Sequence, residues 1–198
     1  MKLTNIGLVE FVKSKLGTPY VYGMKGTVMT QANFNYLQGR YGTRLVWNSD
    51  EWKVGKICVD CSGLISWYTG KLKSSTQFRA ESLAHPIRTI ASAPIGAAVW
   101  RQGHIGVYIG NGEIIEARGS QYGVRRTRVK YRDFTHWFLL KDIEYVEENE
   151  EMVEKGTVIV DGKEVLVNLI FKNGTNYIKI RDIGETLGYN VSSKGKIP

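Results

Sequence analysis

The chain is poor in the residues that build cross-linked or metal-centred proteins. It has two cysteines, three histidines and four prolines in 198 residues. Cys58 and Cys61 cannot make a disulfide framework. Their C-x-x-C spacing suits a redox pair or half a zinc site. Zinc needs further ligands, and His85, His104 and His136 are scattered without ligand spacing. A thioredoxin-type pair follows a strand in a βαβ unit, which is not evident here. No metal or cofactor is expected. No apolar run approaches the roughly 18–20 residues of a membrane span. The segment Met1–Leu8 has no apolar core of signal-peptide length, so synthesis in the cytoplasm without export by that route is expected, and no membrane insertion.

Acidic residues are scarce in the first 140 positions, which carry 19 Lys+Arg against 8 Asp+Glu; residues 141–198 carry 8 against 11. A basic N-terminal portion suggests an anionic partner: nucleic acid, a membrane surface or an anionic wall polymer. No nucleic-acid recognition motif accompanies it, so nucleic acid is not expected.

The stretch Asp60-Cys61-Ser62-Gly63-Leu64-Ile65-Ser66-Trp67-Tyr68 organises the rest. Leu64, Ile65 and Tyr68 recur at helical spacing, and Gly70 is a stop signal. Asp60 is a good N-cap, which makes Cys61 the first helical residue. Unpaired N–H groups and the helix dipole there are expected to lower the thiol pKa and favour a nucleophilic thiolate. The alternative is a buried structural cysteine.

Around this stretch the pattern is helices first and sheet second, an α+β arrangement. Residues 5–16 read as an amphipathic helix with Leu8, Phe11, Val12 and Leu16 on one face, stopped by Gly17. Thr18–Gly23 is a short extended segment. Residues 24–57 form a long polar and aromatic connection with one helix near Gln31–Leu37, read as a site-shaping insertion rather than an idle loop. A basic, Ser-rich stretch, Lys71–Arg79, precedes a short helix expected at Ala80–Ala84. Strands are expected at Ala97–Trp100, His104–Ile109, Glu113–Ala117, Gly123–Val129 and Phe134–Lys141. The boundaries expected are a catalytic domain over residues 1–141, an acidic linker over 142–155 and a small module over 156–198. In the module, Thr157–Val160, Asp161-Gly162 and Glu164–Val167 read as a hairpin. Asn173-Gly174 reads as a turn, Tyr177–Ile180 as a strand, and Ile183–Leu187 as a helix stopped by Gly188.

A cysteine nucleophile needs a base, and the base an orienting group. His104 is the best base, at the start of a β-patterned segment. His85 lies in an irregular region and His136 looks structural. The orienter depends on the Gly110-Asn111-Gly112 connection. A two-residue Asn-Gly loop pairs Val107 with Glu116 and turns Glu116 away from His104. A three-residue loop with a glycine bulge pairs Gly106 with Glu116 and makes His104 and Glu116 diagonal neighbours on one face. The three-residue loop is the expectation.

Tyr20-Val21-Tyr22-Gly23, then Asp60-Cys61-Ser62-Gly63-Leu64, then Gly103-His104-Ile105-Gly106-Val107-Tyr108-Ile109-Gly110-Asn111-Gly112, resemble the NlpC/P60 family of cell-wall cysteine peptidases over residues 5–140. The resemblance implies a papain-like core that cleaves peptidoglycan stem peptides after γ-D-glutamate. Cys61 would be the nucleophile, His104 the base and Glu116 the third polar residue, commonly histidine in that family. Tyr22 would lie beside the oxyanion, and Asp60 and Ser62 would shape the substrate pocket. The chain resembles in particular the catalytic part of clostridial phage lysins, which implies release to the wall after a holin opens the membrane. Tyr177–Tyr189 resembles the copper amine oxidase N-terminal-like module, which implies wall attachment and no copper. Partners implied are peptidoglycan and anionic wall polymers. The alternatives are a muramoyl-alanine amidase with the same machinery, or a non-catalytic wall-binding protein on the same fold.

Overall fold

A computed structural model of the chain describes residues 2–146, 153–172, 175–178, 183–184 and 188. It divides into two compact units, residues 1–146 and 147–198.

The first unit opens with α1 (Asn5–Ser14), whose N-cap Thr4 accepts the Gly7 N–H. Leu8 and Val12 are its fully buried face. Two strands, β1 (Lys25–Val28) and β2 (Ile57–Val59), pair antiparallel. They enclose α2 (Gln31–Tyr41), capped by Thr30 and Asn33 in a reciprocal box, and a short 3-10 helix, Asn48–Lys53. The 24–57 stretch is therefore structured rather than a loop, and its helix runs a full turn beyond Leu37. Met24, Met29, Phe34, Leu37, Val46 and Cys58 give it a core of its own.

A buried ion pair fastens this insertion to the main body. Lys53 and Asp50 are only 2% and 1% exposed and 2.5 Å apart. The Lys53 ammonium also donates to the Tyr20 and Ser120 carbonyls, and Asp50 accepts from the Ser120 hydroxyl and the Trp47 N–H. Removing one partner of such a pair leaves the other charged and dry. Lys53→Ala is expected to cost about 3 kcal/mol, seen as a lower urea midpoint at unchanged slope. A loss no larger than that of the exposed Lys56→Ala would show that the pair holds nothing.

Helix α3 (Cys61–Thr69) follows β2 directly, and α4 (Ser75–Ala80) follows it. The helix expected at Ala80–Ala84 lies earlier, because Ser74 and Gln77 form a capping box that starts it at Ser75. Ala84–Pro86 is instead strand β3, and this places His85, expected in an irregular region, in a sheet. The others are β4 (Ala98–Arg101), β5 (His104–Gly110), β6 (Glu113–Ala117), β7 (Val124–Arg128) and β8 (His136–Phe138). They form one six-stranded sheet in the order β3-β8-β4-β5-β6-β7, every pair antiparallel. With α1 and α3 covering one face, the architecture is α+β.

Alternation along the strands divides the sheet's side chains. Ala98, Ile105, Val107, Ile115 and Phe138 pack with Leu8, Val12, Leu64 and Ile65 of the helices. Ala97, Val99, Tyr108, Ile114 and Phe134 form a second layer on the other face. The stretch expected as a linker is narrower than composition suggests. Ile143 is buried, and the Glu144 N–H donates to the Leu3 carbonyl.

The second unit is a three-stranded antiparallel sheet in the order β11-β10-β9, with β9 (Val153–Val160), β10 (Lys163–Lys172) and β11 (Thr175–Ile178). The β9–β10 turn is the expected Asp161-Gly162, both at positive φ. Val165 and Val167 are its buried face, while Leu166 between them is exposed. Val153–Lys155, read as linker, belongs to β9. Glu147, Glu148, Glu150, Glu151, the Asn173-Gly174 turn and most of the expected 183–187 helix lie outside the described residues. No described helix is long and apolar enough to cross a membrane.

Candidate active site

Cys61 is the first residue of α3, and Asp60 caps the helix by accepting the Gly63 N–H at 2.5 Å. The Asp60 carboxylate does more than cap. It accepts from the Gly23 N–H at 3.0 Å, from the Ser62 hydroxyl at 3.1 Å and from the Lys25 ammonium at 2.9 Å. Lys25 also donates to the Ser62 hydroxyl at 2.7 Å. Asp60 and Ser62, expected to shape a pocket, are thus buried parts of a network that joins α3 to β1 and to the Tyr22-Gly23 segment. Gly63 permits this approach: a Cβ there would stand 2.3 Å from the Met24 carbonyl oxygen.

Cys61 is 7% exposed, and its sulfur is approached by the N–H groups of Ile105 and Ser62. The thiol pKa departs from expectation. Burial pushes it up to about 12, and the Asp60 charge adds to this. The two N–H groups and Lys25 offset only part of the rise. A helix N-terminus supplies a fraction of a charge, whereas leaving water removes the whole hydration of a thiolate. The resting thiol therefore keeps its proton.

His104, the base expected from sequence, is the first residue of β5, one position before the Ile105 N–H that meets the sulfur. Its ring stacks on Phe134 at 5.7 Å between centroids. Its Nε2 lies 2.6 Å from Glu116 Oε2, in a pair that is nearly dry: His104 is 6% exposed and Glu116 0%. A carboxylate only accepts, so the ring nitrogen that faces it, Nε2, is the one that carries a proton in this pair.

The register brings Glu116 to this position. Val107 pairs with Ile115 and Tyr108 with Ile114, so Gly106 stands opposite Glu116 as expected. The device differs from the expected loop. Asn111 and Gly112, both at positive φ, make a two-residue turn closed by Gly110 and Glu113, and the extra residue is a bulge between Tyr108 and Gly110. Gly106 leaves room for the carboxylate, since a Cβ there would meet Glu116 Cβ at 3.2 Å.

Three further groups complete the carboxylate's shell. Arg132 grips it bidentately, Nε to Oε1 at 2.7 Å and Nη2 to Oε2 at 3.0 Å. The Thr127 hydroxyl donates to Oε1 at 2.7 Å. Burial alone would raise the Glu116 pKa; the bonds from His104, Arg132 and Thr127 outweigh it and bring it down to about 2. A folded pKa below the ordinary 4.5 means that stability is gained above pH 4.5 and lost as pH falls towards 2. The loss is expected to reach about 3 kcal/mol. It would appear as a steeper fall in urea midpoint between pH 5 and 2.5 than in Glu116→Gln, and equal slopes would refute it.

Tyr22 packs between the two cores of the first unit and meets Tyr41 edge-on at 5.0 Å. Burial, then the charges of Asp60 and Cys61, raise its hydroxyl pKa. The insertion thus reaches the site through Tyr41. The remaining histidines are elsewhere: His85 stacks on Trp137, and His136 Nδ1 bonds the Thr135 hydroxyl. Cys58 is a free thiol in the insertion's core. Among the described residues no three His, Cys, Asp or Glu side chains gather as a metal centre requires.

Lys25, Thr127, Arg132 and Phe134 were not singled out from sequence. Thr127 and Arg132 follow Glu116 by 11 and 16 residues. Only the β6–β7 register, with Glu116 opposite Arg125, brings that segment alongside.

No protein-family model matches the sequence, and no curated protein matches it. Solved structures do. The P60 domain of an antigen from M. avium subspecies paratuberculosis is 25% identical, with a TM-score of 0.45 over 71% of this chain and 98% of that one. The NlpC/p60 domain of the peptidoglycan hydrolase SagA is 16% identical, with a TM-score of 0.46 over 70% and 100%. NlpC1 from Trichomonas vaginalis is 19% identical, with a TM-score of 0.45 over 68% of this chain; the match spans only 42% of that protein.

Proposed function

We propose that this chain is a peptidoglycan hydrolase, a cysteine endopeptidase that cleaves stem peptides after γ-D-glutamate. The observation that carries the reading is the dry His104–Glu116 pair at 2.6 Å, one residue from the Ile105 N–H that meets the thiol at the N-terminus of α3. The motif resemblance directs it to cell-wall peptides. The lysin role and wall attachment by the second unit rest on sequence resemblance alone.

In this mechanism His104 Nδ1 takes the Cys61 proton as the sulfur attacks the amide carbonyl. Glu116 stabilises the imidazolium through the Nε2–H bond and does not itself take the proton. Backbone N–H at Cys61, aided by Tyr22, would steady the oxyanion. The C–N bond then breaks, and His104 returns its proton to the leaving amine. Water attacks the thioester with His104 as base, which releases the acid and restores the thiol.

Digestion of a defined muropeptide, read by mass spectrometry, tests the reaction. New ends at D-glutamate support it. Freed L-alanine ends would make the protein an amidase with the same residues. Unchanged muropeptides together with a blank wall zymogram would leave a wall-binding protein.

A further inference from the structure

On the sheet face away from α1 and α3 lies a cavity of about 440 Å³, a size that takes a small organic molecule. Arg88, Arg128 and Lys130 line it, and no acidic residue does. Among the described residues neither Arg88 nor Arg128 has a hydrogen-bond or ion-pair partner for its side chain. Among the described residues Lys130 meets only the Tyr131 ring, at 4.9 Å. The acidic residues nearby in the chain are committed elsewhere: Glu113 to Arg126 and Asp133 to Arg101. Like charges gathered without a counterion repel, and an external anion relieves that repulsion.

The walls are held in place. The hairpin tip is tied to the segment after β7 by the Val129 N–H donating to the Gly112 carbonyl at 2.9 Å. The opposite wall is tied by the Ile87 N–H to the Thr135 carbonyl, also at 2.9 Å, and by the Trp137 indole to the Thr89 hydroxyl. Ile87, Ile90 and Phe134 supply apolar lining. Arg132 borders the cavity too, but its guanidinium is already engaged by Glu116.

We propose that this cavity binds a phosphate group carried on a small organic body. Two unpaired guanidinium forks and an ammonium suit the several oxygens and double charge of phosphate better than one carboxylate. The apolar lining takes the attached carbon chain, and the volume exceeds the need of a bare anion. The site shares Arg132 and Phe134 with the surroundings of Glu116 and His104, but it does not depend on the hydrolase reading, because its binding is measured without turnover.

Titration calorimetry of the full chain tests it with three probes: glycerol phosphate, a poly(glycerol phosphate) oligomer and acetate. Saturable binding of either phosphate probe, weakened by added salt, is expected. The first alone would indicate a free phosphomonoester, and the second a phosphodiester polymer. Arg88→Ala with Arg128→Ala should weaken binding about a hundredfold, roughly tenfold per lost charged contact. The melting midpoint should hold, and Arg88→Gln serves if the double variant does not fold. Absence of saturable phosphate binding, equal binding of acetate, or unchanged affinity in the variants overturns the proposal.

Discussion

Cys61→Ala is expected to lower the turnover of peptidoglycan stem peptides about a million-fold, the loss seen when a triad nucleophile is removed. The sulfur is the only atom in the proposed mechanism that bonds to the acyl carbon, so nothing else at the site can replace it. Stability should barely change. The side chain is small, it caps no helix, and the groups around it are held by Asp60 rather than by the sulfur. Single-turnover assays on purified walls, with urea unfolding alongside, check both halves. Residual lysis within tenfold of wild type would remove Cys61 from the mechanism.

Glu116→Gln is expected to cut turnover about ten-thousand-fold, by analogy with loss of the orienting carboxylate in a Ser-His-Asp triad. An amide keeps the shape but can offer its NH₂ to His104 Nε2, which would favour the tautomer with the proton on Nδ1. That tautomer cannot accept from the thiol. The same change removes the negative charge that Arg132 grips, leaving a half-buried guanidinium unpaired. Activity and stability should therefore fall together, unlike in Cys61→Ala. The proton on the His104 ring, followed by nitrogen NMR, should move from Nε2 to Nδ1 in the variant. If turnover falls while the tautomer stays, Glu116 acts by field alone and not by orienting the ring.

Much of this site was legible before the fold was known. The N-cap of Asp60, the helical spacing of Leu64 and Ile65, and the alternation through β5 and β6 are local signals. They placed Cys61, His104 and Glu116 on the right elements. The pairing of Gly106 with Glu116 was also accessible, because strand register has few alternatives. The way the hairpin reaches that register was not. A bulge before Gly110 and a wider loop give the same downstream pairing and differ only in backbone dihedrals. The order within residues 24–57 was read too simply. Its helix and paired strands depend on burying Met29, Phe34 and Val46 against one another, which no local period displays.

The sequence by itself determined the elements that carry the sulfur, the ring and the carboxylate, since caps, glycines and alternation act over a few residues. Only the tertiary structure decided how charged the sulfur and the carboxylate are and what holds them. Lys25 reaches Asp60, and Arg132 with Thr127 reaches Glu116, because sheet pairing brings distant segments into contact. The Cys61 thiol stays protonated while Glu116 stays ionised for the same reason. Removal from water penalises both anions, and only the carboxylate receives enough donors to overcome it.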